Sequence, residues 1–383
     1  MTTTVDRPRR TPRPTAPKAA KGLKKQPSAD PRQMPGRQDW QTWPQYEAAV
    51  LGFRNYWYPV TWSRHVGKQP NELMILGERL SLVRDGTAIR ATRVGVEVTG
   101  AGENELEYAT YPVAERLGLV WVYVGDVATG EKPPPVETDI PSELVADDAV
   151  VVGRMTRRHG NWRFGAENGF DEGHAKYLHR RALWVLRRQM PTWVRHHIEP
   201  TGEGWITRVP DEVHYDTEFP GLGSWPPRRF WRVAGRGKAT VSIRLPCFLR
   251  VAYAHWQHYE WWVPIDEDHH VYLQMVSKRA RKAERVRFWL YYRTWVRWVF
   301  HGMFNDEDAL MVDVMDAPPE RLYRPDVAIT EWRKLCEAQT RGAPQTTTPE
   351  VEALRGLADR PETPDIRSAG MPITHRIREL IRQ

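Results

Sequence analysis

Residues 167–179 of the chain read Glu-Asn-Gly-Phe-Asp-Glu-Gly-His-Ala-Lys-Tyr-Leu-His. The stretch sets two histidines, His174 and His179, five residues apart, and places Asp171 three residues before the first of them. Far downstream, residues 305–308 read Asn-Asp-Glu-Asp and offer carboxylates that can complete a ligand set. Two imidazoles and one carboxylate, with the remaining positions open, are the ligands of mononuclear non-haem Fe(II) sites. We therefore predict a metal site built from these two distant stretches.

The spacing of the two histidines constrains the local backbone. On a regular α-helix, residues i and i+5 point about 140° apart because the period is 3.6 residues. Both imidazoles can face one ion only if the helix ends, bends or carries a π-bulge between them. Asp171 and His174 stand at i and i+3, which makes them neighbours on a helix. From that position we expect Asp171 to orient His174.

The whole string is more specific than the histidine pair, which alone is a weak signal in a chain with 13 histidines. Glu-Asn-Gly-Phe-Asp-x-x-His-x4-His resembles the mononuclear-iron motif of the Rieske non-haem iron oxygenases, in particular their carbazole dioxygenase type. Strings that begin at residues 51, 260 and 332 also resemble this type, in the same order. The resemblance covers roughly residues 51–335.

The resemblance implies a role for each residue of the site. His174 and His179 match the two histidine ligands of the iron. The family pattern Phe-Asn-x-Asp/Glu-Asp matches Asp308 with the third ligand, in preference to Asp306 and Glu307. An acidic residue that caps a helix is the alternative reading, and it suits Asp306 best.

Two further residues match functional positions of the family. Asp171 matches a bridging carboxylate, which in the family's trimers links a metal-ligand histidine to a cluster-ligand histidine of the neighbouring subunit. Asn168 matches a pocket residue near the iron. The pairs at 196–197 and 269–270 are expected to be exposed polar histidines rather than ligands. His255 and His258 are expected on or beside strands.

The pattern of the chain predicts an α+β fold with two domains. Residues 46–145 are expected to form a Rieske-like β-domain, because short alternating runs surround the hairpin turn Asp85-Gly86. Residues 146–340 are expected to form a helix-grip catalytic domain, an antiparallel sheet with helices that include 282–304 and 327–338. Residues 1–45 are expected to be a disordered basic tail, and 341–383 a linker with a short terminal helix.

The β-domain departs from the family in one respect. The family's β-domain holds a [2Fe–2S] cluster on Cys-x-His and Cys-x-x-His loops. This chain has no cysteine before Cys247, and no histidine between His65 and His159. About 25 residues separate the Asp85-Gly86 turn from Tyr111, too few for both cluster loops. We therefore expect a mononuclear Fe(II) and no [2Fe–2S] cluster in this chain.

The charge of the chain is concentrated at one end. The formal net charge is +8, but residues 1–38 hold ten of the 56 basic and two of the 48 acidic residues, so the rest is balanced. A neutral body argues against nucleic acid as the main partner. Two cysteines imply no disulfide framework and a reducing cytoplasm by default. No run of about 18 apolar residues is present, so no membrane partner is expected.

These observations predict an oxygenase subunit that hydroxylates or oxidatively demethylates an apolar, aromatic or polycyclic substrate with O2. Its electrons would come from a Rieske domain on another protein, either an intact oxygenase subunit in a mixed trimer or a reductase. Two alternatives stay open: a non-catalytic partner of an intact oxygenase in a mixed oligomer, and metal-dependent hydrolysis or isomerisation without a redox chain.

Overall fold

A computed structural model describes the fold, and the described residues are 42–94, 110–125, 132–171, 174, 178–179, 206–219, 237–252, 256–314, 320, 322, 326–349 and 351–352. Several predictions concern residues outside these ranges: the basic tail before residue 42, the histidines 196, 197 and 255, and the terminal helix after residue 370.

Two small antiparallel sheets form the first part of the chain. One has the strand order β1-β7-β6 and the other β2-β3-β4-β5. The Asp85-Gly86 turn joins β3 to β4, with Asp85 paired to Ala88, and Gly86 has a φ of 61° that favours glycine. The predicted hairpin is therefore confirmed. The strands are β1 Tyr56–Trp62, β2 Asn71–Ile75, β3 Glu78–Asp85, β4 Ala88–Arg93, β5 Thr110–Tyr111, β6 Val113–Arg116 and β7 Leu119–Val124.

A seven-stranded antiparallel sheet forms the second part, in the order β8-β14-β13-β12-β11-β10-β9. The hairpin predicted from residues 260–276 forms the second and third strands from the β8 edge, and Glu260 lies opposite Gln274 in it. The next strand places Arg154 beside Gln274, so three polar residues form a row across the sheet. The strands are β8 Ala149–His159, β9 Ile206–Val209, β10 Glu212–Phe219, β11 Gly237–Arg244, β12 Phe248–Ala252, β13 Gln257–Pro264 and β14 His269–Arg279.

Helices complete the α+β fold, which the sequence predicted. They are α1 Pro44–Ala48, α2 Trp162–Phe170, α3 Ala283–Tyr291, a π-helical segment Tyr292–Phe304, α4 Asn305–Val314 and α5 Val327–Gln339. The sequence predicted a helix that ends at Phe304, but the helical backbone continues through α4. None of the helices in the described part is long and apolar enough to cross a membrane.

One hydrophobic core includes residues of both predicted domains. Tyr46 of α1 makes edge contacts with Trp162 of α2 and Trp332 of α5, with ring centroids 6.0 and 6.3 Å apart. Residues 341–349, here called the strap, were predicted to be linker. The strap instead pairs with the start of the β-domain, since Leu51 N donates to Gln345 O at 2.7 Å and Gln345 N to Gly52 O at 2.8 Å.

Candidate metal centre

Helix α2 carries the first half of the histidine motif and is fixed at both ends. Asn161 caps its start, because the side-chain oxygen accepts from the backbone N–H of Arg163 at 3.2 Å. The helix ends at Phe170, and Asp171 follows in extended conformation with a ψ of 116°. The break therefore lies before His174. The sequence analysis expected a departure between the two histidines, at residues 175–177, which lie outside the described part.

The first residue of the motif, Glu167, anchors α2 to α5. Its carboxylate is buried and accepts two hydrogen bonds from the Arg333 guanidinium, at 2.8 and 2.9 Å. Arg333 also binds Glu320 at 2.6 Å, so two carboxylates share one buried cation. The fully satisfied guanidinium fixes the direction in which α2 delivers the histidine motif.

Two glycines allow α2 to lie directly on β13. A Cβ at Gly165 or Gly169 would clash with the indole of Trp262. The helix thus approaches the sheet more closely than any residue with a side chain would permit. This close approach sets the height of the motif above the sheet.

Three donor groups converge just beyond the end of α2. His174, His179 and Asp308 each offer one ligand atom, and these atoms lie within 4.8 Å of one another. Oδ1 of Asp308 is 3.4 Å from Nε2 of His174 and 3.3 Å from Nε2 of His179. These are the three residues that the sequence analysis selected as metal ligands.

Hydrogen bonds fix the tautomer of each imidazole. Nδ1 of His174 donates to the backbone carbonyl of Asp171, and Nδ1 of His179 donates to Oε2 of Glu307 at 3.3 Å. Because both partners are acceptors, each Nδ1 carries the proton and each Nε2 keeps its lone pair. The side chain of His179 is fully buried, and its Nε2 has no hydrogen-bond partner among the described residues. Both lone pairs are thus available to a metal on the side that faces Asp308.

Burial favours the neutral form of all three groups. It lowers the pKa of His179 to about 2 and lowers that of His174 as well. Burial, together with the nearby carboxylate of Glu260, raises the pKa of Asp308 well above its ordinary value. Asn168 opposes this effect by donating from Nδ2 to Oδ1 at 3.1 Å. A divalent cation would balance the buried negative charge, so this donor set fits a metal ion.

The other two acids of the 305–308 stretch have different surroundings. Asp306 binds the guanidinium groups of Arg154, at 2.7 Å, and of Arg158. Asp306 does not cap a helix start, because Asn305 before it already has helical dihedral angles, but it does lie with Glu307 and Asp308 in the first turn of α4. Glu307 contacts Nδ1 of His179 and so supports a ligand.

Asp171 is placed differently from the sequence expectation. The end of α2 at Phe170 separates it from His174, so the two are not neighbours on one helix. The hydrogen bond that orients His174 is donated by its own Nδ1 and accepted by the backbone carbonyl of Asp171. The proposed bridging role of its carboxylate stays a prediction.

Three other histidines of the described part differ in burial and in their partners. His269 is half-buried and its Nδ1 lies 2.8 Å from Asp266 Oδ1. His270 is buried, and its Nδ1 donates to Gly160 O at 2.8 Å, so the expectation of an exposed pair is wrong for this residue. His258 lies on β13, as expected, with its side chain buried.

Sequence reasoning missed the residues that support the site from the downstream helix. Phe304 stacks on the ring of His179 with centroids 3.6 Å apart. Asn305 donates from Nδ2 to Oε1 of Glu260 at 2.7 Å. Both precede Asp308 within one helical turn, so a continuous helix over 300–310 would have predicted their position.

Comparisons with known proteins agree with the resemblance of the motifs. A family model described as homotrimeric ring hydroxylase matches residues 123–214 and 209–344, more than half of the chain. The terminal oxygenase component of carbazole 1,9a-dioxygenase from Sphingomonas sp is 28% identical over 376 residues, covering 78% of this chain and 95% of the relative. Its counterpart from Metapseudomonas resinovorans is 28% identical over 368 residues, covering 78% and 94%.

Solved structures show the same likeness over the whole fold. A carbazole-bound variant of the carbazole 1,9a-dioxygenase oxygenase, in complex with ferredoxin, has a TM-score of 0.66 at 26% identity and covers 79% of this chain and 94% of its own. The terminal oxygenase from Novosphingobium sp. KA1 has a TM-score of 0.61 at 26% identity and covers 80% and 98%.

Proposed function

Because the chain belongs to the homotrimeric ring hydroxylase family, we propose that it is an oxygenase subunit with a mononuclear Fe(II) on His174, His179 and Asp308. Its substrate would be an apolar aromatic or polycyclic molecule, which it hydroxylates or oxidatively demethylates. The single observation that carries the proposal is the convergence of two tautomer-fixed imidazoles and one buried carboxylate within 4.8 Å. Two related oxygenases act in carbazole dioxygenation, which makes carbazole the first probe.

The residues of this chain would prepare the site before a metal binds. Fe(II) on two histidines and a carboxylate supplies open positions at which O2 is activated. Glu307 and the Asp171 carbonyl hold the Nδ1 protons, so both Nε2 atoms stay directed at one point. Asn168 holds the Asp308 carboxylate, and Phe304 covers one face of His179 and excludes water from it.

Electrons would come from a Rieske domain on another protein. The chain has two cysteines, Cys247 before β12 and Cys336 on α5, and both are buried free thiols. Burial raises the pKa of both thiols, which disfavours the thiolate that binds iron. One relative was solved in complex with ferredoxin. By analogy we propose a separate electron donor, either a reductase or an intact Rieske subunit, and a trimeric assembly.

The test is metal and sulfide analysis of the full chain, followed by peroxide-driven turnover of carbazole, which needs no electron donor. We expect about one iron per subunit, no acid-labile sulfide and an oxygenated product. Acid-labile sulfide in a homogeneous preparation would overturn the separate-donor proposal. Stoichiometric iron without turnover, with peroxide or with a co-purified donor, would identify the chain as a non-catalytic partner subunit.

A further inference from the structure

A row of buried polar side chains connects a surface cleft with the helix that carries Asp308. Its members are Tyr292, His301, His258 and Glu260, here called the Tyr292–Glu260 chain. None of the four is more than 5% exposed. They come from the π-helical segment and from β13, on the face of the sheet that also packs against α2. The metal centre does not use them as ligands.

The outer end of the chain lies at a cleft of about 510 Å³. Tyr292 lines this cleft together with Trp62 and Arg64 of the β-domain and Arg154 of β8. The hydroxyl of Tyr292 is 3.3 Å from Nδ1 of His301. A group that can both donate and accept a proton thus stands between the cleft and a buried imidazole.

The inner end of the chain lies beside the metal-ligand helix. His258 and Glu260 are two residues apart on β13 and share one face of the sheet. Nδ1 of His258 is 3.2 Å from Oε1 of Glu260, and that oxygen accepts from Asn305 of α4 at 2.7 Å. Burial is the main cause of the raised pKa of Asp308, and the negative charge of the Glu260 carboxylate raises it further.

The join between the two halves is a pair of imidazoles. The rings of His258 and His301 have centroids 5.4 Å apart. Nε2 of each ring is buried and has no hydrogen-bond partner among the described residues. Two neighbouring rings that each carry a buried nitrogen atom without a partner are costly in a cluster that serves packing alone, because each such atom costs about 1–3 kcal/mol. They are suited to exchanging a proton, directly or through one bridging water.

Burial keeps both imidazoles neutral and favours the protonated form of Glu260. Burial lowers the pKa of His258 to about 3 and that of His301 well below its ordinary value. Burial raises the pKa of Glu260 to about 7, against the lowering effects of Tyr272, Asn305 and Arg154. The groups that face Glu260 are Arg154 from β8, Tyr272 from β14, His258 from its own strand, and Asn305 and Asp308 from α4.

We propose that the Tyr292–Glu260 chain conducts protons between the cleft and Glu260, which lies against Asn305 of the helix that carries Asp308. The use of these protons rests on the proposed function, because reduction of O2 consumes them. Each hop is balanced. Tyr292 passes its proton to Nδ1 of His301 and regains one from the cleft. His301 releases a proton from Nε2 toward Nε2 of His258. His258 releases one from Nδ1 to the carboxylate of Glu260, where the transfer ends.

The test follows the proton itself in the metal-free full chain. We expect Glu260 to hold a proton at pH 6, because burial raises its pKa to about 7. Its carboxyl C=O stretch in the infrared is identified by its loss in Glu260→Gln. After rapid mixing into D2O, the shift of this band reports how fast the buried proton exchanges. We expect Tyr292→Phe and His301→Gln each to slow the shift by roughly tenfold or more, as removal of a proton carrier should.

Two matched variants control for packing. Tyr259→Phe removes a hydroxyl from the same strand, but Tyr259 points to the opposite face and bonds Gln257. His270→Gln replaces another buried imidazole, which donates to the carbonyl of Gly160 and does not belong to the Tyr292–Glu260 chain. In both variants the proton of Glu260 should exchange with D2O at the wild-type rate.

The outcomes separate this inference from the proposed function. Equal exchange rates in all variants, or no band that depends on Glu260 at pH 6, would overturn the proton chain whatever the iron content. Wild-type protein that binds no iron would overturn the proposed function and leave the exchange result intact. Iron content in Tyr292→Phe should equal that of the wild type.

Discussion

The imidazole of His179 is fixed by two residues of the helix that also carries its fellow ligand. Phe304 stacks on one face of the ring, and Glu307 accepts its Nδ1 proton at 3.3 Å. Asp308 is the next residue along. One helix therefore supplies a ligand and both supports of a second ligand, so the donor atoms keep their mutual distances if the helix shifts slightly.

Replacing a ligand should remove iron, whereas replacing its acidic neighbour should not. We expect His174→Ala, His179→Ala and Asp308→Ala each to lower iron affinity by more than the roughly 10–100-fold that follows loss of a supporting residue. The matched control is Asp306→Asn, since Asp306 binds Arg154 and Arg158 instead. Metal analysis after gel filtration measures the iron content of the ligand variants and of the control. Iron retained in Asp308→Ala but lost in Asp306→Asn would show that the third ligand is misassigned.

Asp171→Asn should impair electron delivery more than metal binding. The contact that orients His174 uses the backbone carbonyl, which the substitution keeps, so iron content should stay near wild type. The amide removes the charge and part of the acceptor set that a docking Rieske domain would meet. We expect slower donor-driven turnover and near-normal peroxide-driven turnover. Equal loss by both routes would assign Asp171 a structural role.

Glu260 should make the fold less stable as the pH rises. Its pKa is raised from 4.5 to about 7 in the folded protein, so the folded state binds more protons between these values than the unfolded one. Its contribution is complete below pH 4.5 and is lost as pH rises through 7. The unfolding free energy of the wild type relative to Glu260→Gln should fall by about 3 kcal/mol across that window. A pH-independent difference in urea denaturation of the metal-free protein would contradict this.

At the scale of the element, helix α2 is positioned by two glycines that have no side chain on the face toward the sheet. Gly165 and Gly169 leave room for the indole of Trp262, which fills the space between helix and sheet. The end of α2 at Phe170 then turns the chain toward the metal centre. The small residues on one face of α2 and the large ring on β13 together determine the position at which the histidine motif leaves the helix.

Gly165→Ala should therefore displace α2 and weaken the site. The added methyl group overlaps Trp262, and overpacking of this kind costs about 1–3 kcal/mol. We expect a lower melting temperature and a reduced iron content. Gly67→Ala is the matched control, because a Cβ at Gly67 meets nothing within 4 Å. Thermal denaturation and metal analysis of both variants test these expectations. A full iron content in Gly165→Ala would contradict the claim that the position of α2 controls the metal site.

The sequence predicted elements better than their ends. The β13–β14 hairpin was visible in the alternation of residues 260–276, and the selected donors do converge. Two errors arose where local pattern and tertiary context differ. Asp306 looked like a helix cap because Ser, Thr, Asp and Asn commonly cap, yet the helix already runs through Asn305. His270 looked exposed because histidine is mostly polar, yet Gly160 satisfies it in the core.

At the scale of the whole molecule, one buried strand lies at the centre of a three-stranded sheet of the β-domain. The buried strand Leu119–Val124 pairs with β1 on one side and β6 on the other, and all six of its residues are buried. Apolar burial thus contributes to the stability of this part. Neither the strap nor the shared core was predicted, since contacts between residues almost 300 apart leave no local pattern.

The strap has a consequence for synthesis on the ribosome. It pairs residues 51 and 52 with residue 345, and Thr348 donates to the carbonyl of Gly77 at 2.6 Å. The beginning of the β-domain is therefore paired with a segment that is translated nearly 300 residues later. Domains usually fold in the order in which they emerge. Here residues 51 and 52 lack their hydrogen bonds to residue 345 until the strap has left the exit tunnel.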